Sequence, residues 1–425
     1  PLPTPTEMLQ EMLGCVSATP AEFAQSEDSA EPTGSESEST PDTASSDLST
    51  AGTYRAAEGD HKVALKSTYR TLMMRIAAHD VAGTFYSRKG QAHPQPRVKF
   101  QEVTHLLTAL ADAALTAALA VAVRTVFGED PLDAKLAIMA MGKCGAGELN
   151  YISDVDVIFV SDVVTPKITR VASEFNRVGS ACFFEVDANL RPEGKSGALV
   201  RTLESHVAYY KRWAETWEFQ ALLKARPQTG YLPLAQEYLA QIGPMVWTAS
   251  QRDSFVEDVQ AMRRRVLENV PKELRQRELK LGEGGLRDVE FAVQLLQLVH
   301  GRSDETLRVL STVDALTALV AAGYVGREDG NQLIDAYEFL RLLEHRLQLE
   351  RFRRTHVLPE PDDTAALKWL AIIAGFNPQG NKSAAERMNK YLKETRLRIQ
   401  DLHSRLFYRP LLNSVVAMSA DELKL

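Results

Sequence analysis

The sequence predicts an α+β fold, with a small mixed sheet embedded in a mainly helical chain and followed by a helical bundle. Three short apolar runs between residues 135 and 188 have the length and composition of strands. On both sides of them, apolar residues recur every three or four positions, as on the buried face of a helix. These two patterns place the strands inside a helical chain.

The 425 residues divide into four parts by composition and periodicity. Residues 1–60 are expected to form a disordered acidic linker, because the segment 26-SEDSAEPTGSESESTPDTASSDLST-50 has almost no large apolar residue to bury. Residues 61–130 are expected to be helical, and residues 131–230 to form the core that holds the strands and the chemistry. Residues 231–425 are expected to form the bundle.

Two helices are expected before the first strand, at 62–83 and 102–127. The second contains the Ala-rich run 107-LTALADAALTAALAVAVRTVF-127, in which Asp112 and Arg124 interrupt the apolar residues. A membrane-spanning helix needs about 18 or more consecutive apolar residues. This segment is therefore predicted to be a buried helix.

Strands are expected at 135–142, 155–160 and 182–188, with a helix at about 169–180 between the second and the third. After residue 203 the pattern is almost entirely helical. The segment 333-LIDAYEFLRLLEHRLQLERF-352, for example, repeats its leucines at helical spacing.

Charge and cysteine content narrow the class of protein. A net charge of −7 predicts no general attraction to nucleic acid or to an anionic membrane. The three cysteines, Cys15, Cys144 and Cys182, form no C-x-x-C pattern, so neither a disulfide framework nor a structural zinc site is expected. A reducing cytoplasm is the predicted location. The first residue is Pro, so the chain is expected to be a fragment or a processed form.

Two carboxylates stand at the start of the second strand, in 150-NYISDVDVIFV-160. Side chains alternate along a strand, so Asp154 and Asp156 share one face, whereas Val155, Val157 and Phe159 lie on the other. Two carboxylates this close repel each other unless a cation lies between them, and Mg²⁺ prefers oxygen ligands. The pair is interpreted as part of a metal site, with a solvated strand end as the alternative.

The loop 141-MGKCGAGELNYIS-153 leads directly into these acids. Gly142, Gly145 and Gly147 let backbone N–H groups approach an anion closely, and Lys143 adds a positive charge. Ser153 adds a hydroxyl next to the first acid. A glycine-rich loop followed by paired acids predicts binding of phosphate and metal together.

A third acid is needed to hold two metal ions, and the segment 184-FEVDANLRPEGKSG-197 offers Glu185 and Asp187. Both lie on the same face of the expected strand, so spacing alone does not choose between them. Cationic groups downstream are candidates to neutralise phosphate oxygens. They are Arg191, Lys195, Arg201, Lys224 and Arg226.

A second glycine-rich segment, 282-GEGGLRDVEF-291, leads into an expected helix. Its first turn holds Asp288 and Glu290. Acids in this position either cap the helix and compensate its dipole or lie near the site.

The order of glycine loop, paired acids and later acid resembles the DNA polymerase β-like nucleotidyltransferases. Longer strings are similar to the bifunctional glutamine synthetase adenylyltransferase family, and together they extend over most of the chain from about residue 62. The strings are 142-GKCGAGELNYISDVDVIF-159, 186-VDANLRPEGKSGALVRTLESHVAYY-210, 217-WEFQALLKARP-227, 284-GGLRDVEFAVQLLQLVHG-301 and 345-HRLQLERFRRTHVLP-359.

The resemblance implies that 131–230 is a nucleotidyltransferase core in which Asp154, Asp156 and Asp187 hold Mg²⁺ and act as the catalytic carboxylates. It also implies a phosphate-binding role for the loop and its surroundings. The residues are Gly142, Lys143, Gly145, Ser153, Arg191 and Lys195. Two positions depart from the pattern, because Lys143 follows Gly142 and Asn189 stands where the pattern has Arg.

The strings ALLKARP and GGLRDVEF resemble the adenylyl-removing half of that family. The implied reaction is phosphorolysis of an AMP–tyrosine bond of adenylylated glutamine synthetase, giving ADP and the free enzyme. The implied partners are glutamine synthetase, phosphate, ADP or ATP and a PII signal protein. Two alternatives remain: ATP-dependent adenylylation of glutamine synthetase or another protein, and a non-catalytic module that binds PII.

Overall fold

The computed structural model of the chain describes residues 2–24, 52–85 and 98–408. The architecture is α+β, as predicted: a small mixed sheet lies within a mainly helical chain, and a helical bundle follows it.

The N-terminal residues are ordered where they are described. Helix α1 (Pro5–Gly14) starts with a capping box, in which Glu7 accepts from the backbone of Thr4 and donates its own N–H to the Thr4 hydroxyl. Strands β1 (Thr19–Pro20) and β2 (Tyr54–Arg55) pair antiparallel. The predicted disordered linker over 1–60 is therefore wrong at both of its ends, and residues 25–51 lie outside the described residues.

The apolar residues of α1 explain this order. Met8, Met12 and Leu13 are fully buried in the same hydrophobic core as the long helix that precedes the sheet. The Ser/Thr/Pro-rich composition is confined to the central segment. The residues on either side of it bury enough apolar surface to fold, so the predicted linker was too long at both ends.

Both helices expected before the sheet are present, as α2 (Lys62–Phe85) and α3 (Phe100–Phe127). Within the described part of the chain, α3 is the one helix long and apolar enough to cross a membrane by length and composition. It lies in the interior, packed against α1, α2 and the helix that follows the second central strand.

The central sheet has five strands in the described residues: β3 (Leu136–Ala140), β4 (Val155–Ser161), β5 (Val186–Asp187), β6 (Val200–Thr202) and β7 (Arg226–Gly230). The first of them pairs antiparallel with both β4 and β7. Strand β4 pairs in parallel with β5 at its start and with β6 at its end. The sheet is mixed, as predicted.

Both faces of the sheet are buried, each in its own core. Val155, Val157 and Phe159 of β4 pack into the core of the helices α1, α2 and α3. Ile158 and Val160 pack on the opposite side, with the helices that come after the sheet. The strand therefore alternates as predicted, and the side of Ile158 and Val160 is the side on which the aspartates lie.

The third expected strand is shorter than predicted. Helix α5 (Pro166–Cys182) occupies its first residue, and only Val186 and Asp187 pair with β4. Strand β7 has no counterpart in the sequence-based prediction, because its residues RPQTG carry no apolar run. Pro227 fits this position because β7 is an edge strand of the described sheet.

Helices make up most of the rest. They are α4 (Gly142–Gly145), α6 (Leu203–Arg212), α7 (Thr216–Leu222), α8 (Leu232–Thr248), α9 (Phe255–Glu268), α10 (Leu286–His300), α11 (Thr312–Ala321), α12 (Arg327–Arg351), α13 (Thr364–Ile373) and α14 (Ala384–His403).

The bundle and the sheet do not separate at residue 231. Tyr238 and Ile242 of α8 are buried in the same core as Met139 and Ile158 of the sheet. A distinct bundle core, built from α10 to α14, starts at Leu279. The predicted boundary at 231 therefore falls inside a continuous hydrophobic core.

Candidate active site

Three aspartates lie near one another where β4 begins. Asp156 is the second residue of β4 and lies directly opposite Asp187 of β5 in the parallel pairing, and Val155 lies opposite Val186. Asp154 immediately precedes the strand. Because Asp154 and Asp156 are two residues apart, the extended backbone directs both side chains to the same face of the sheet.

The electrostatics of Asp156 follow from this placement. Its pKa is raised to about 6, mainly by burial and additionally by the negative charges of Asp154 and Asp187. A carboxylate that is partly desolvated and flanked by two like charges is a site where a cation gains free energy.

Gly142 allows the backbone to pass close to the side chain of Asp156. Its φ is +55°, a conformation that glycine adopts without strain. A Cβ atom at this position would lie 2.5 Å from Asp156 Oδ2. Glycine therefore serves two purposes here, because it permits the turn after β3 and leaves space beside the carboxylate.

The other glycines of the loop have different roles. A Cβ on Gly145 would collide with the backbone carbonyl oxygen of Lys224, so this glycine permits close packing of two backbone segments. Gly147 has a φ of +71° and faces His105. Only Gly142 of the three lines the cavity beside the aspartates.

That cavity, called here the cationic cavity, has a volume of about 550 Å³. This lies within the range of about 300–1,000 Å³ that is usual for small-ligand sites. Of the predicted site residues it is lined by Gly142, Lys143, Ser153, Asp154 and Asp156. Further side chains come from α7, α9, α10 and the segments after α7, α9 and α12, and include Trp217, Gln220, Lys224, Lys280, Arg287, Glu290, Phe291, Gln294 and Arg354.

Lys143 lies between the loop and the bundle. Its Nζ is 3.5 Å from Glu344 Oε2 on α12. The pKa of Lys143 is lowered to about 7, mainly by burial and additionally by the positive charges of Arg341 and Lys280, whereas Glu344 opposes the shift. Near neutral pH this lysine is therefore poised between its charged and neutral forms.

Glu290 balances the cations of the cavity. Burial alone would raise its pKa, but Arg287, Lys143 and Lys224 hold it down at about 2. Its Oε2 accepts from Arg287 at 2.9 Å. Asp288, the other acid of this turn, instead accepts from Arg263 and from the backbone N–H of Gly284, so it has a structural role at the start of α10.

Arg191 and Lys195 are not brought to the cationic cavity. The guanidinium of Arg191 donates to the backbone carbonyls of Ala188, Lys195 and Gly197, so it holds its own loop together. Lys195 is exposed. Lys280, Arg287 and Arg354 instead line the cavity, from parts of the chain that are 80 or more residues further along.

Glu185 and Asp187 are separated by the structure. Asp187 pairs with Asp156 across the strands, and its Oδ1 accepts from the backbone N–H of Asn189. Glu185 is exposed and lies 3.9 Å from Arg354. The same arginine donates to Asp154 at 2.8 Å. The strand register thus places Asp187, rather than Glu185, beside Asp156.

A buried polar network connects the loop to the bundle. Glu148 accepts from the backbone N–H and the hydroxyl of Thr312 and from Lys224. Arg341 of α12 donates to Glu148 O and to Asn150 Oδ1, both at 2.6 Å. The loop that leads into the aspartates is thus held from the bundle side.

The residues present partly fit a divalent metal ion. Asp154, Asp156 and Asp187 offer the oxygen ligands that Mg²⁺ prefers, and the pKa of Asp156 is raised first by burial and then by the negative charges of the other two. Within the described ranges, however, no three acidic, His or Cys side chains converge closely enough to hold an ion. The guanidinium of Arg354 forms an ion pair with Asp154, so a metal ion would have to displace this arginine from the carboxylate.

Sequence reasoning missed the cations from the bundle side. Lys280, Arg287 and Arg354 lie in segments whose local pattern is that of loop and helix surface. The available signal was the second glycine-rich segment, 282-GEGGLRDVEF-291, since Lys280 precedes it and Arg287 lies within it.

Comparison with known proteins gives two family matches. The family model described as glutamate-ammonia ligase adenylyltransferase matches residues 36–241. The family model described as GlnD PII-uridylyltransferase matches residues 260–407. The first match covers the sheet and its aspartates, and the second covers most of α9 to α14.

Curated relatives match the chain along its length. A bifunctional glutamine synthetase adenylyltransferase/adenylyl-removing enzyme of Corynebacterium efficiens is 65% identical over 100% of this chain and 40% of its own length. Proteins of the same description are 64% identical in Corynebacterium diphtheriae, over 100% of the chain and 41% of the relative, and 58% identical in Mycobacterium tuberculosis, over 83% and 34%. The chain thus spans about two fifths of the length of the first two relatives.

Proposed function

Because this chain belongs to the family of bifunctional glutamine synthetase adenylyltransferase/adenylyl-removing enzymes, which are nucleotidyltransferases, we propose that it removes AMP from adenylylated glutamine synthetase. The reaction is a Mg²⁺-dependent phosphorolysis in the cytoplasm. The observation that carries the proposal is the register that sets Asp187 against Asp156 beside a cationic cavity.

The proposed chemistry needs no protein nucleophile. An oxygen of inorganic phosphate attacks the phosphorus of the AMP–tyrosine link, the bond from phosphorus to the tyrosine oxygen breaks, and ADP is formed. The tyrosine oxygen takes a proton from water or from a nearby acid. Mg²⁺ held by Asp154, Asp156 and Asp187 would supply charge neutralisation for the phosphoryl oxygens when bound.

The chain's own cations supply the rest. Lys143, Lys224, Lys280 and Arg287 line one cavity, so phosphate oxygens placed there meet several positive charges. The negative charge of Glu290 interacts with all four cations and offsets part of their mutual repulsion. Positioning and electrostatic stabilisation are the main demands of phosphoryl transfer.

The test is a pair of incubations with the purified chain. With Mg²⁺, phosphate and adenylylated glutamine synthetase, the expected product is ADP. With Mg²⁺, ATP and unmodified glutamine synthetase, no transfer of label from ATP to the protein is expected. Labelling in the second mixture without ADP in the first would reverse the assigned direction. Asp156→Asn is the matched control and should abolish ADP formation.

A regulatory role is the second candidate, favoured by the match of residues 260–407 to a PII-uridylyltransferase model. In that case the helical part binds a PII signal protein and tunes the activity of the aspartates. Binding of PII that leaves ADP formation unchanged at all PII concentrations would remove the regulatory part alone. Loss of PII binding in Asp154→Asn would argue against a separate docking surface.

A further inference from the structure

A second cavity adjoins Asp154. It has a volume of about 570 Å³ and is called here the apolar cavity. Helix α2, the end of α5 and the segments that precede β4 and follow α12 form its walls. Ser153, Asp154 and Arg354 line both this cavity and the cationic cavity, so the two meet at Asp154.

Aromatic rings form one wall of the apolar cavity. The ring of Tyr69 lies 5.1 Å from that of Phe183 and 5.9 Å from that of Phe184, measured between centroids. Met73 and Met74 of α2 extend this wall. Aromatic and methionine side chains together form surfaces that accept apolar groups of varied shape.

Exposed apolar residues mark the mouth. Met74 is 49% exposed and Phe352 is 47% exposed, although both are large and apolar. Phe352 is also held at φ 47° and ψ 45°, in the left-handed region that bulky residues rarely adopt. Sparsely populated backbone conformations of this kind cluster at active and ligand-binding sites.

The charges around the apolar cavity are balanced. Its lining contains two cations, Arg70 and Arg354, and two carboxylates, Asp154 and Glu185. Arg354 pairs with both of these acids. Unlike the cationic cavity, this one offers no excess of positive charge to a nucleotide or to inorganic phosphate.

We propose that the apolar cavity binds the segment of the protein substrate that carries the adenylylated tyrosine. This inference rests on the proposed function, in which the substrate has a nucleotide part and a polypeptide part. The bond between the two parts must lie at the aspartates, which is where the two cavities meet. The phosphates occupy the cationic cavity, and an apolar side chain beside the tyrosine packs against Tyr69, Phe183 and Phe184.

The proposal is tested by placing a charge at the mouth of the apolar cavity. Met74→Glu is expected to raise the KM for adenylylated glutamine synthetase about tenfold or more, the effect of losing one anchoring contact. The KM for inorganic phosphate should stay at the value of the unsubstituted chain. Val63→Glu is the control, because Val63 is 79% exposed on the same helix and does not line the cavity.

Direct binding separates this inference from the proposed function. The probe is a peptide with the sequence around the modified tyrosine of glutamine synthetase, adenylylated and labelled with a fluorophore. Its affinity for the whole chain should fall about tenfold in Met74→Glu, as for a lost anchor, and should persist in Val63→Glu.

Each result has one meaning. If the chain forms no ADP but binds the peptide through Met74, the proposed function fails and the cavity assignment stands. If Met74→Glu keeps the unsubstituted KM and peptide affinity while the chain forms ADP, the cavity assignment is overturned and the function stands. If the unsubstituted chain does not bind the peptide, the cavity assignment is also overturned.

Discussion

At the scale of single residues, the pKa values of Asp156 and Lys143 are shifted in opposite directions by the same main cause, which is burial. Burial raises the pKa of the acid and lowers that of the lysine, so both titrate near neutrality. Both line the cationic cavity. Groups of this kind destabilise the fold when charged and gain from a ligand of opposite charge, as expected of binding sites.

We expect Asp156→Asn to stabilise the metal-free chain at high pH. The folded chain holds the proton of Asp156 more tightly than the unfolded chain, so ionised Asp156 lowers the free energy of unfolding as pH rises through the window from the usual Asp pKa to about 6. Asn should therefore raise the free energy of unfolding on the order of 1–3 kcal/mol at neutral pH.

Urea unfolding in the presence of a chelator measures this gain across a pH series. The gain should vanish below pH of about 3, where Asp156 is largely protonated in both the folded and the unfolded chain. A gain that is equal at all pH values would show that the cause is not the carboxylate charge.

We expect Arg354→Ala to bind Mg²⁺ more tightly. The guanidinium of Arg354 lies 2.8 Å from Asp154 Oδ2, so a metal ion at the aspartates competes with it. The ion pair is half exposed, so its loss should increase the affinity roughly fivefold, equivalent to about 1 kcal/mol. Calorimetric titration measures the affinity. The exposed neighbour Arg353 provides the control Arg353→Ala, and equal affinities in the two variants would contradict the expectation.

At the scale of elements, helix α12 fixes the position of the loop before β4. Its buried residues reach the loop at several points: Arg341 donates to Asn150, and Gln348 accepts from the backbone N–H of Ile152. The same helix is joined to α2, where Arg346 donates two hydrogen bonds to Asp80 at 2.6 and 2.7 Å. These contacts transmit the position of the bundle to the aspartates.

We expect Asp80→Asn to lower the free energy of unfolding by about 3–5 kcal/mol, since it leaves the fully buried guanidinium of Arg346 without its counter-charge. The double variant Asp80→Leu with Arg346→Leu should lose less, because it removes both charges. Chemical denaturation measures both values. For comparison, Lys390→Ala breaks the exposed pair with Glu394 and should cost less than about 1 kcal/mol. A double variant as unstable as Asp80→Asn would contradict the argument.

At the scale of the whole molecule, the site belongs to no single segment. The aspartates come from β4, β5 and the residue before β4, whereas Lys280, Arg287 and Arg354 come from 120 or more residues after β4 begins. One face of the sheet needs α3 and the other needs α8 and α10 for its burial.

We therefore expect residues 131–230, expressed alone, not to fold. Both faces of their sheet would lose part of their apolar cover, and Glu148 would lose its partner Thr312. The expected result is a chain without a cooperative unfolding transition and without near-ultraviolet circular dichroism. The full chain is the control. A cooperative transition in the isolated segment would show that the sheet is an independent domain.

Much of the fold follows from local pattern. The helices at 62–83 and 102–127 and the strands around Ile138 and Ile158 have regular apolar spacing, and the structure contains them. Strand β7 was not predicted, because its residues are polar and its partner is a strand more than 80 residues earlier. The ordered residues at the two ends of the predicted linker were not predicted, because the polar composition of the central segment was taken to hold for apolar neighbours that are buried.

The sequence alone determined that Asp154 and Asp156 share a face of a strand beside a glycine, since strand periodicity and glycine's freedom are local properties. Only the tertiary structure decided that Asp187 rather than Glu185 faces Asp156, and that Lys280, Arg287 and Arg354 rather than Arg191 and Lys195 approach the cavity. The physical reason is that strand register and helix packing are set by burial of residues far apart in the chain, which no short motif records.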